Sequence, residues 1–169
     1  MLKRIALVVL IALPLGVFAQ DLKFGHINSE EIISVMPEYT KARTDLQTLE
    51  KQYADDLQRT QDEFNRKYQE FQQAADSLPQ NIAERRQREL EDMLQRQNEF
   101  RQEAMQNMQK ASTDLMAPIE KKLNEAIQAV GRAEGVIYIF DLARTTIPYV
   151  DEAKSINLTA KVKTQLGIK

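Results

Sequence analysis

Apolar and near-apolar side chains recur along the middle of the chain at intervals of three and four residues. From Leu46 the intervals are 3, 4, 4, 3, 4, 4, which is an eleven-residue repeat and not a heptad. No Gly or Pro interrupts the series between Pro37 and Pro79. It therefore predicts a helix of about 40 residues, roughly 60 Å long, that begins at Pro37. Its members are Tyr39, Ala42, Leu46, Leu49, Tyr53, Leu57, Thr60, Phe64, Tyr68, Phe71 and Ala75.

The helical series breaks at residues 76–81, Asp-Ser-Leu-Pro-Gln-Asn. Leu78 precedes a proline, so its backbone should leave the helical region. A new helix can restart either with Pro79 in its first turn or with Asn81 as a cap paired with Glu84. We therefore expect the tip of a turn near 76–82.

The apolar series after this break has the same period. Its steps between Gln97 and Ile119 are again 3, 4, 4, 3, 4, 4. Equal pitch on both sides of a tight turn predicts a long antiparallel helical hairpin over 37–133, called the arm below. Pro118 interrupts the hydrogen-bond ladder of the second helix, so we expect a hinge there. The apolar members are Ile82, Leu90, Met93, Phe100, Ala104, Met108, Ala111, Leu115, Ile119, Leu123, Ala126 and Val130.

Strand-forming residues are confined to the two ends of the chain. Residues 23–28, Lys-Phe-Gly-His-Ile-Asn, and residues 136–141, Val-Ile-Tyr-Ile-Phe-Asp, each predict a short strand. Residues 145–150 predict another, at an edge of the sheet because they contain Pro148. These segments indicate a small β-rich body.

A short amphipathic helix completes the predicted body. It carries Leu158, Val162 and Leu166, and either Ser155 or Asn157 caps its start. The predicted fold class is therefore α+β and mostly α. One body, formed by 20–36 and 134–169, carries the long helical arm.

The predicted body is too small to be very stable as a single copy. Roughly 50 residues bury little apolar surface, and a sheet of about three short strands leaves its edges open. Self-association would correct both weaknesses, although these arguments do not set the number of copies. The residues expected to build the oligomer body are Phe24, Ile27, Val136, Ile137, Tyr138, Ile139 and Phe140.

The N-terminus has the layout of a secretory signal. Lys3 and Arg4 precede an uninterrupted apolar run over 5–13, and small residues occupy the positions before a cleavage site at Ala19. The run is shorter than the about 20 residues of a membrane span, which disfavours the alternative of an N-terminal anchor helix. We therefore expect a signal peptide over 1–19 and an exported chain.

Composition removes several classes of function. Lys and Arg number 23 against 25 Asp and Glu, and removal of Lys3 and Arg4 with the signal leaves 21 basic residues, for a net charge of about −4. This mildly acidic balance is not typical of nucleic-acid-binding proteins, so we expect no nucleic-acid partner. The chain has no Cys and a single histidine, His26, which we interpret as a strand residue and not a metal ligand. No catalytic or cofactor-binding motif is present, so we expect neither an enzyme nor a cofactor.

Several segments resemble the Skp/OmpH family of periplasmic chaperones. The opening carriers are 23–32, Lys-Phe-Gly-His-Ile-Asn-Ser-Glu-Glu-Ile, and 36–39, Met-Pro-Glu-Tyr. The closing carriers are 115–119, 135–141 and 157–159. The resemblance covers the whole mature chain and lies in the order of its elements. It implies a periplasmic homotrimer that holds unfolded outer-membrane β-barrel proteins between its arms without ATP.

The arm supplies the candidate contacts with such clients. Thioether side chains adapt to varied shapes, and aromatic rings add large apolar surfaces. The candidates are Tyr53, Phe64, Tyr68, Phe71, Met93, Phe100, Met105 and Met108. Packing of these residues in the seam between the two helices is the competing interpretation. Met105 lies off the apolar series, which makes it a better candidate for client contact.

The predicted tip departs from the basic arms that the resemblance implies. Between Arg66 and Arg96 there are six basic and six acidic residues. Arg85, Arg86 and Arg88 follow Pro79 closely, and they belong either to a solvated face or to a weak contact with a membrane surface. The neutral balance argues against strong electrostatic capture.

Two other classes of function remain open from the sequence. A long exported hairpin is also compatible with a structural coiled-coil tether or adaptor of the cell envelope. A regulatory module would instead bind one saturable ligand. A tether would need an anchor or a docking tip, and the sequence shows no motif for either.

Overall fold

The computed structural model describes residues 22–168, and the predicted signal peptide, 1–19, lies outside this range. Eight elements follow one another in residues 22–168, and one of them is a short 3₁₀ turn. They are β1 (Phe24–Ile27), α1 (Ser29–Ile33), α2 (Pro37–Ala74), the 3₁₀ turn (Ala75–Ser77), α3 (Gln80–Glu134), β2 (Tyr138–Asp141), β3 (Ser155–Asn157) and α4 (Thr159–Gln165).

The two long helices are continuous, as the uninterrupted series of apolar residues predicted. Helix α2 has 38 residues and begins with Pro37 in its first turn, where the missing N–H has no intrahelical partner to lose. Helix α3 has 55 residues and contains Pro118 in its interior. The helix is present on both sides of this proline, and the hinge assigned to it stays a prediction.

The tip of the arm is a tight connection. Leu78 is extended, with φ −82° and ψ 139°, as expected for a residue before proline. Pro79 is the last residue before helix α3, so the helix restarts at the proline. Asn81 lies inside the helix and does not cap it.

Four pairs of side chains along the arm establish that α2 and α3 are antiparallel neighbours. From one pair to the next, the partner in α2 lies later in the chain and the partner in α3 lies earlier. From base to tip they are Glu38 with Lys122, Tyr53 with Phe100, Gln61 with Gln97, and Lys67 with Glu89. The predicted hairpin is therefore confirmed.

The sheet is parallel, with β1 between β2 and β3. Phe24 faces Tyr138 on one side of β1 and Ser155 on the other. The strand predicted over 145–150 is wrong, because the third strand is Ser155–Asn157 and residues 145–150 form a loop.

Two local causes explain this error. Pro148 has no N–H to donate to a ladder, which disfavours the segment that contains it. Ser155–Asn157 lies directly before Leu158, a fully buried residue whose N–H donates to the carbonyl of His26. This anchor brings the short polar segment to the free edge of β1.

The core lies between one face of the sheet, the short helices and the lower end of α3. Its five largest fully buried side chains come from both ends of the chain: Ile27, Ile32, Met36, Leu158 and Val162. Ile119, Leu123, Ala126 and Val130 of α3 pack against them. The base of the arm is thus joined to the sheet by a shared core, which leaves the upper arm to project.

Helices α3 and α4 are each followed by a glycine whose backbone is in the left-handed region. Gly135 has φ 65° and ends α3, and Gly167 has φ 76° after α4. At the start of α4, the side-chain oxygen of Asn157 accepts a hydrogen bond from the N–H of Thr159, 3.0 Å away. The N-cap residue of α4 is Leu158, so neither Ser155 nor Asn157 occupies the predicted capping position, and Asn157 binds the first N–H of the helix from one residue before it.

Candidate functional site

The outer face of the sheet carries aromatic side chains that no helix covers in the described residues. Phe24, Tyr138 and Phe140 form this aromatic face, because residues at alternate positions of a strand point the same way. Ring centroids lie 6.4 Å apart for Phe24 and Tyr138 and 6.2 Å apart for Tyr138 and Phe140. Tyr138 is 61% exposed and Phe140 43% exposed. An exposed cluster of large apolar side chains on a small body is typical of an interaction surface.

A mainly apolar depression lies beside the aromatic face. Its wall comes from the loop after β2, where Ile147, Tyr149 and Val150 stand next to Phe140. Tyr149 is 78% exposed. The loop therefore enlarges the apolar surface of the sheet.

His26 lies at the floor of this depression and is buried. Its Nδ1 is 2.8 Å from the hydroxyl oxygen of Ser155 on the neighbouring strand. Within residues 22–168 no cluster of His, Asp and Glu is arranged to hold a metal ion. The hydrogen bond with Ser155 gives the imidazole a structural partner across the sheet.

The structure divides the residues predicted to form the oligomer body into two groups. Ile27 is in the core, and Val136 and Ile139 pack against it. Phe24, Ile137, Tyr138 and Phe140 lie on or beside the outer surface. The prediction of the oligomer body did not include Ile147 and Tyr149, because residues 145–150 were predicted as an edge strand and instead form an irregular loop beside the sheet.

The middle of the arm has a second apolar depression, which we call the Met105 groove. Glu50 and Arg101 are its charged lining residues, and the apolar ones are Tyr53, Ala54, Leu57, Ala104, Met105 and Met108. Met105 is 70% exposed, although it is a large apolar side chain in the middle of a helix. The groove therefore offers a flexible thioether beside an aromatic ring.

The other predicted arm contacts lie nearer the seam. Tyr53 and Phe100 meet across it in an edge-to-face arrangement with centroids 5.8 Å apart. Phe64 and Tyr68 stack along α2 at 6.0 Å, and Tyr68 is exposed. Phe71, Met93 and Met108 are half-buried. Leu94, which is 43% exposed, was not among the predicted candidates.

The arginines after the tip are exposed. The nearest Nη1–Oε2 distance between Arg86 and Glu89 is 4.0 Å, and Arg88 donates from Nε to the carbonyl of Glu84 at 3.4 Å. Arg85 is also exposed. Arg86 and Arg88 thus have a carboxylate and a backbone carbonyl of the same helix as their neighbours.

Comparison with known proteins identifies the family of this chain. Residues 23–166 match the family model described as outer membrane protein (OmpH-like). The chain belongs to the OmpH-like family. No curated protein sequence matches this OmpH-like chain.

A solved structure supports the fold of the OmpH-like chain. It comes from Caulobacter crescentus CB15 and is described as a candidate outer membrane chaperone (OmpH-like). The two share 14% sequence identity with a TM-score of 0.73, over 86% of this chain and 83% of that one. No helix among residues 22–168 of the OmpH-like chain is long and apolar enough to cross a membrane.

Two ion pairs tie the helices of the OmpH-like arm together at its ends. Near the tip, the hydrogen bond from Lys67 lowers the pKa of the Glu89 carboxyl below its ordinary value of 4.5, and the positive charge of Lys67 acts in the same direction. At the base, the hydrogen bond from Lys122 similarly lowers the pKa of Glu38. Stabilisation from both pairs is fully present above pH 4.5 and is lost as pH falls through each lowered pKa.

Replacing Glu89 with Gln is expected to loosen the distal arm at neutral pH and to leave it unchanged in acid. The reason is that the ion pair with Lys67 joins α2 to α3 only while Glu89 is charged. Faster hydrogen exchange of the backbone amides in 62–71 and 86–93 would report the loss. The effect should shrink in about 1 M salt, where the Debye length is about 3 Å.

Glu70 provides the matched control for this change. It pairs with Arg66 within α2, at 3.1 Å, and joins no second helix. Gln at position 70 should therefore leave the exchange of 86–93 as in the unaltered chain. Equal effects of the two substitutions would show that the pair between helices has no special role.

Proposed function

We propose that this OmpH-like protein is an ATP-independent holding chaperone that binds unfolded outer-membrane β-barrel proteins and prevents their aggregation. The observation that carries the proposal is a projecting helical arm with an apolar groove whose rim residue, Met105, is largely exposed. Family membership and the description of the Caulobacter neighbour support a role in the handling of outer-membrane proteins.

The chemistry of the arm suits many weak contacts. Strands of a barrel protein alternate apolar and polar residues and expose unpaired backbone groups until they insert in a membrane. Such segments pair with one another when free, so keeping them apart prevents aggregation. The flexible thioethers of Met105 and Met108 accommodate varied side chains beside the ring of Tyr53.

The proposed client contacts comprise the groove and the aromatic residues along the seam. The strongest candidates for client contact are Met105, Met108 and Tyr53. Met105 is largely exposed, and Met108 and Tyr53 line the same open depression. Phe100 contacts Tyr53 across the seam, so its contribution includes packing of the arm itself. The remaining proposed contacts are Phe64, Tyr68, Phe71 and Met93.

We propose that the working form is a homotrimer assembled through the aromatic face and the adjoining loop. The exposed rings of Tyr138 and Phe140 and the projecting Tyr149 supply apolar area for burial between copies. Each aromatic side chain buries about 150–250 Å² when covered. The copy number comes from the family resemblance, and the arms of three copies would enclose a common space.

The proposed location is the periplasm. The signal-peptide pattern over 1–19 and the family membership both favour export. We further propose that the body consists of 20–36 and 134–169, that the arm is 37–133, and that Pro118 acts as the hinge at its root. The neutral tip, with Pro79, Arg85, Arg86 and Arg88, would contribute little to capture of clients or to membrane contact.

An aggregation assay with the mature protein tests the proposed function. Several unrelated barrel proteins diluted from urea should stay soluble at near-stoichiometric amounts of the protein, without ATP. The physical reason is that the arm shields backbone and apolar groups of the client without needing one particular sequence.

A folded soluble protein of similar size serves as the control client and should not bind. Aggregation at the same rate with and without the OmpH-like protein would contradict the proposal. Selective binding of one folded partner, with no effect on unfolded barrels, would favour the tether or adaptor instead.

A further inference from the structure

A second line of apolar residues runs along α3, separate from the seam. Its members are eleven residues apart: Ala83, Leu94, Met105, Met116 and Ile127. Eleven residues are close to three turns of helix, so these side chains lie on one face, about 16.5 Å apart. The eleven-residue repeat of the seam therefore carries an additional apolar position beside it.

Along this line the side chains are most buried at the base and most exposed at Met105, and Ala83, nearest the tip, is half-buried. Ile127 and Met116 pack against the core, and Met116 is half-buried. Met105 is 70% exposed and Leu94 43% exposed, although both are large and apolar. Ile127 and Met116 therefore belong to the packing at the base, whereas Met105 and Leu94 are exposed on the projecting arm.

Between Leu94 and Met116, three of the four residues on the same face are uncharged. The four lie four and seven residues after Leu94 and after Met105, and they are Asn98, Arg101, Gln109 and Ser112. Amide side chains both donate and accept hydrogen bonds, as backbone groups do. Arg101 donates to the side-chain oxygen of Asn98 at 3.4 Å, so its charge is directed toward a neighbour on the same face.

The spacing distinguishes between two occupants for this face. A helix from a second copy would need apolar side chains every three to four residues to form a seam. Leu94 and Met105 are separated by three turns, which is too sparse for a helical partner. An unfolded chain needs only scattered apolar contacts with hydrogen-bonding groups between them for its unpaired backbone.

We propose that Leu94, Met105 and the amides of Asn98 and Gln109 form a client-binding face, which holds unfolded segments by spaced apolar contacts and backbone hydrogen bonds. Met105 and Gln109 of this face also line the Met105 groove, as do the neighbouring Arg101 and Ser112. This inference rests on the proposed chaperone function and adds Leu94 and the amides to the contact residues.

Replacement of both Leu94 and Met105 by Gln tests the face. Because both side chains are exposed, the double variant should keep its helix content and thermal midpoint. Its affinity for a urea-unfolded barrel protein, measured by fluorescence anisotropy of a labelled client, should fall about tenfold or more. The loss should occur in dissociation more than in association.

Glu99→Gln with Lys110→Gln is the matched control. These residues are also eleven apart, are exposed on another side of the same helix, and lose one negative and one positive charge, so the net charge is unchanged. The control should bind the client as the unaltered chain does. Equal losses in the two double variants would overturn the assignment of this face.

Three further results separate this inference from the proposed function. If the unaltered protein fails to bind any unfolded barrel, both are wrong. If it binds and the Leu94 and Met105 variant binds equally, only the face is wrong. A change in the mass of the assembly in that variant would assign the face to a second copy and would also overturn the inference.

Discussion

Replacing Tyr138 and Phe140 together with Asp is expected to convert the proposed homotrimer into folded monomers. Both rings lie on the uncovered face of the sheet, and neither belongs to the core of a single chain. Two carboxylates there would have to lose water if the face were covered by another copy. We expect self-association to weaken by at least about a hundredfold. Analytical ultracentrifugation would show the fall in mass.

Val35→Asp is the control for a loss of exposed apolar surface in general. Val35 is 46% exposed, a fraction similar to the 43% of Phe140, but it follows α1 and is not on the aromatic face. This variant should keep the mass of the unaltered protein. If the Tyr138 and Phe140 variant also keeps its mass, the aromatic face is not the interface. Circular dichroism should confirm that both proteins retain their helices.

Replacing Leu158 with Ala is expected to destabilise the base by about 2–5 kcal/mol, as for other buried Leu residues. Leu158 is fully buried, its N–H donates to the carbonyl of His26, and it precedes α4. The cavity would therefore loosen the contact between the sheet and α4. Urea unfolding followed by hydrogen exchange of the β1 amides would measure the loss. The distal arm, which has separate contacts, should exchange as before.

Gly25 allows a sharper test of the same contact. A Cβ at this position would lie 2.6 Å from Cδ1 of Leu158, whose side chain is enclosed and cannot move aside freely. Gly25→Ala alone should destabilise the base by about 1–3 kcal/mol, as overpacking does. In the Leu158→Ala background the cost should largely disappear, because the colliding methyl group is absent. Strictly additive effects would contradict this close approach.

The arm was accessible to sequence reasoning because its structure follows from local repetition. The intervals of three and four residues on either side of Leu78 and Pro79 specify two helices of equal pitch and the turn that joins them. The side-chain pairs from Glu38 with Lys122 to Lys67 with Glu89 then confirmed the antiparallel arrangement. Local backbone rules also located the stop at Gly135, whose φ is positive.

The sheet was less accessible because its partners come from distant parts of the chain. The segment 145–150 has the composition of a strand, whereas the polar Ser155–Asn157 does not. The shorter segment pairs with β1 because Leu158 enters the core beside it. Strand propensity describes a half-buried surface, so it fails where one buried neighbour decides the pairing.

The candidate binding surfaces also divide into those that a local repeat predicts and those that depend on distant contacts. Met105 was identified from its position off the apolar series, while Leu94 was overlooked, although the same eleven-residue spacing relates the two. A regular helix converts spacing into a shared face, so this signal was present in the sequence. The loop with Ile147 and Tyr149 has no such regularity, and its place beside Phe140 could not be inferred.

The sequence by itself determined the length and pitch of the two helices, the position of the tip and the small size of the body, because each depends on residues close together in the chain. Only the tertiary structure decided which strand fills the second edge of β1, which aromatic rings remain uncovered, and how far up the arm the core extends. Those features depend on contacts such as that of Leu158 with Gly25, between residues more than a hundred positions apart. Burial at such contacts is a property of the assembled fold, and no local pattern specifies it.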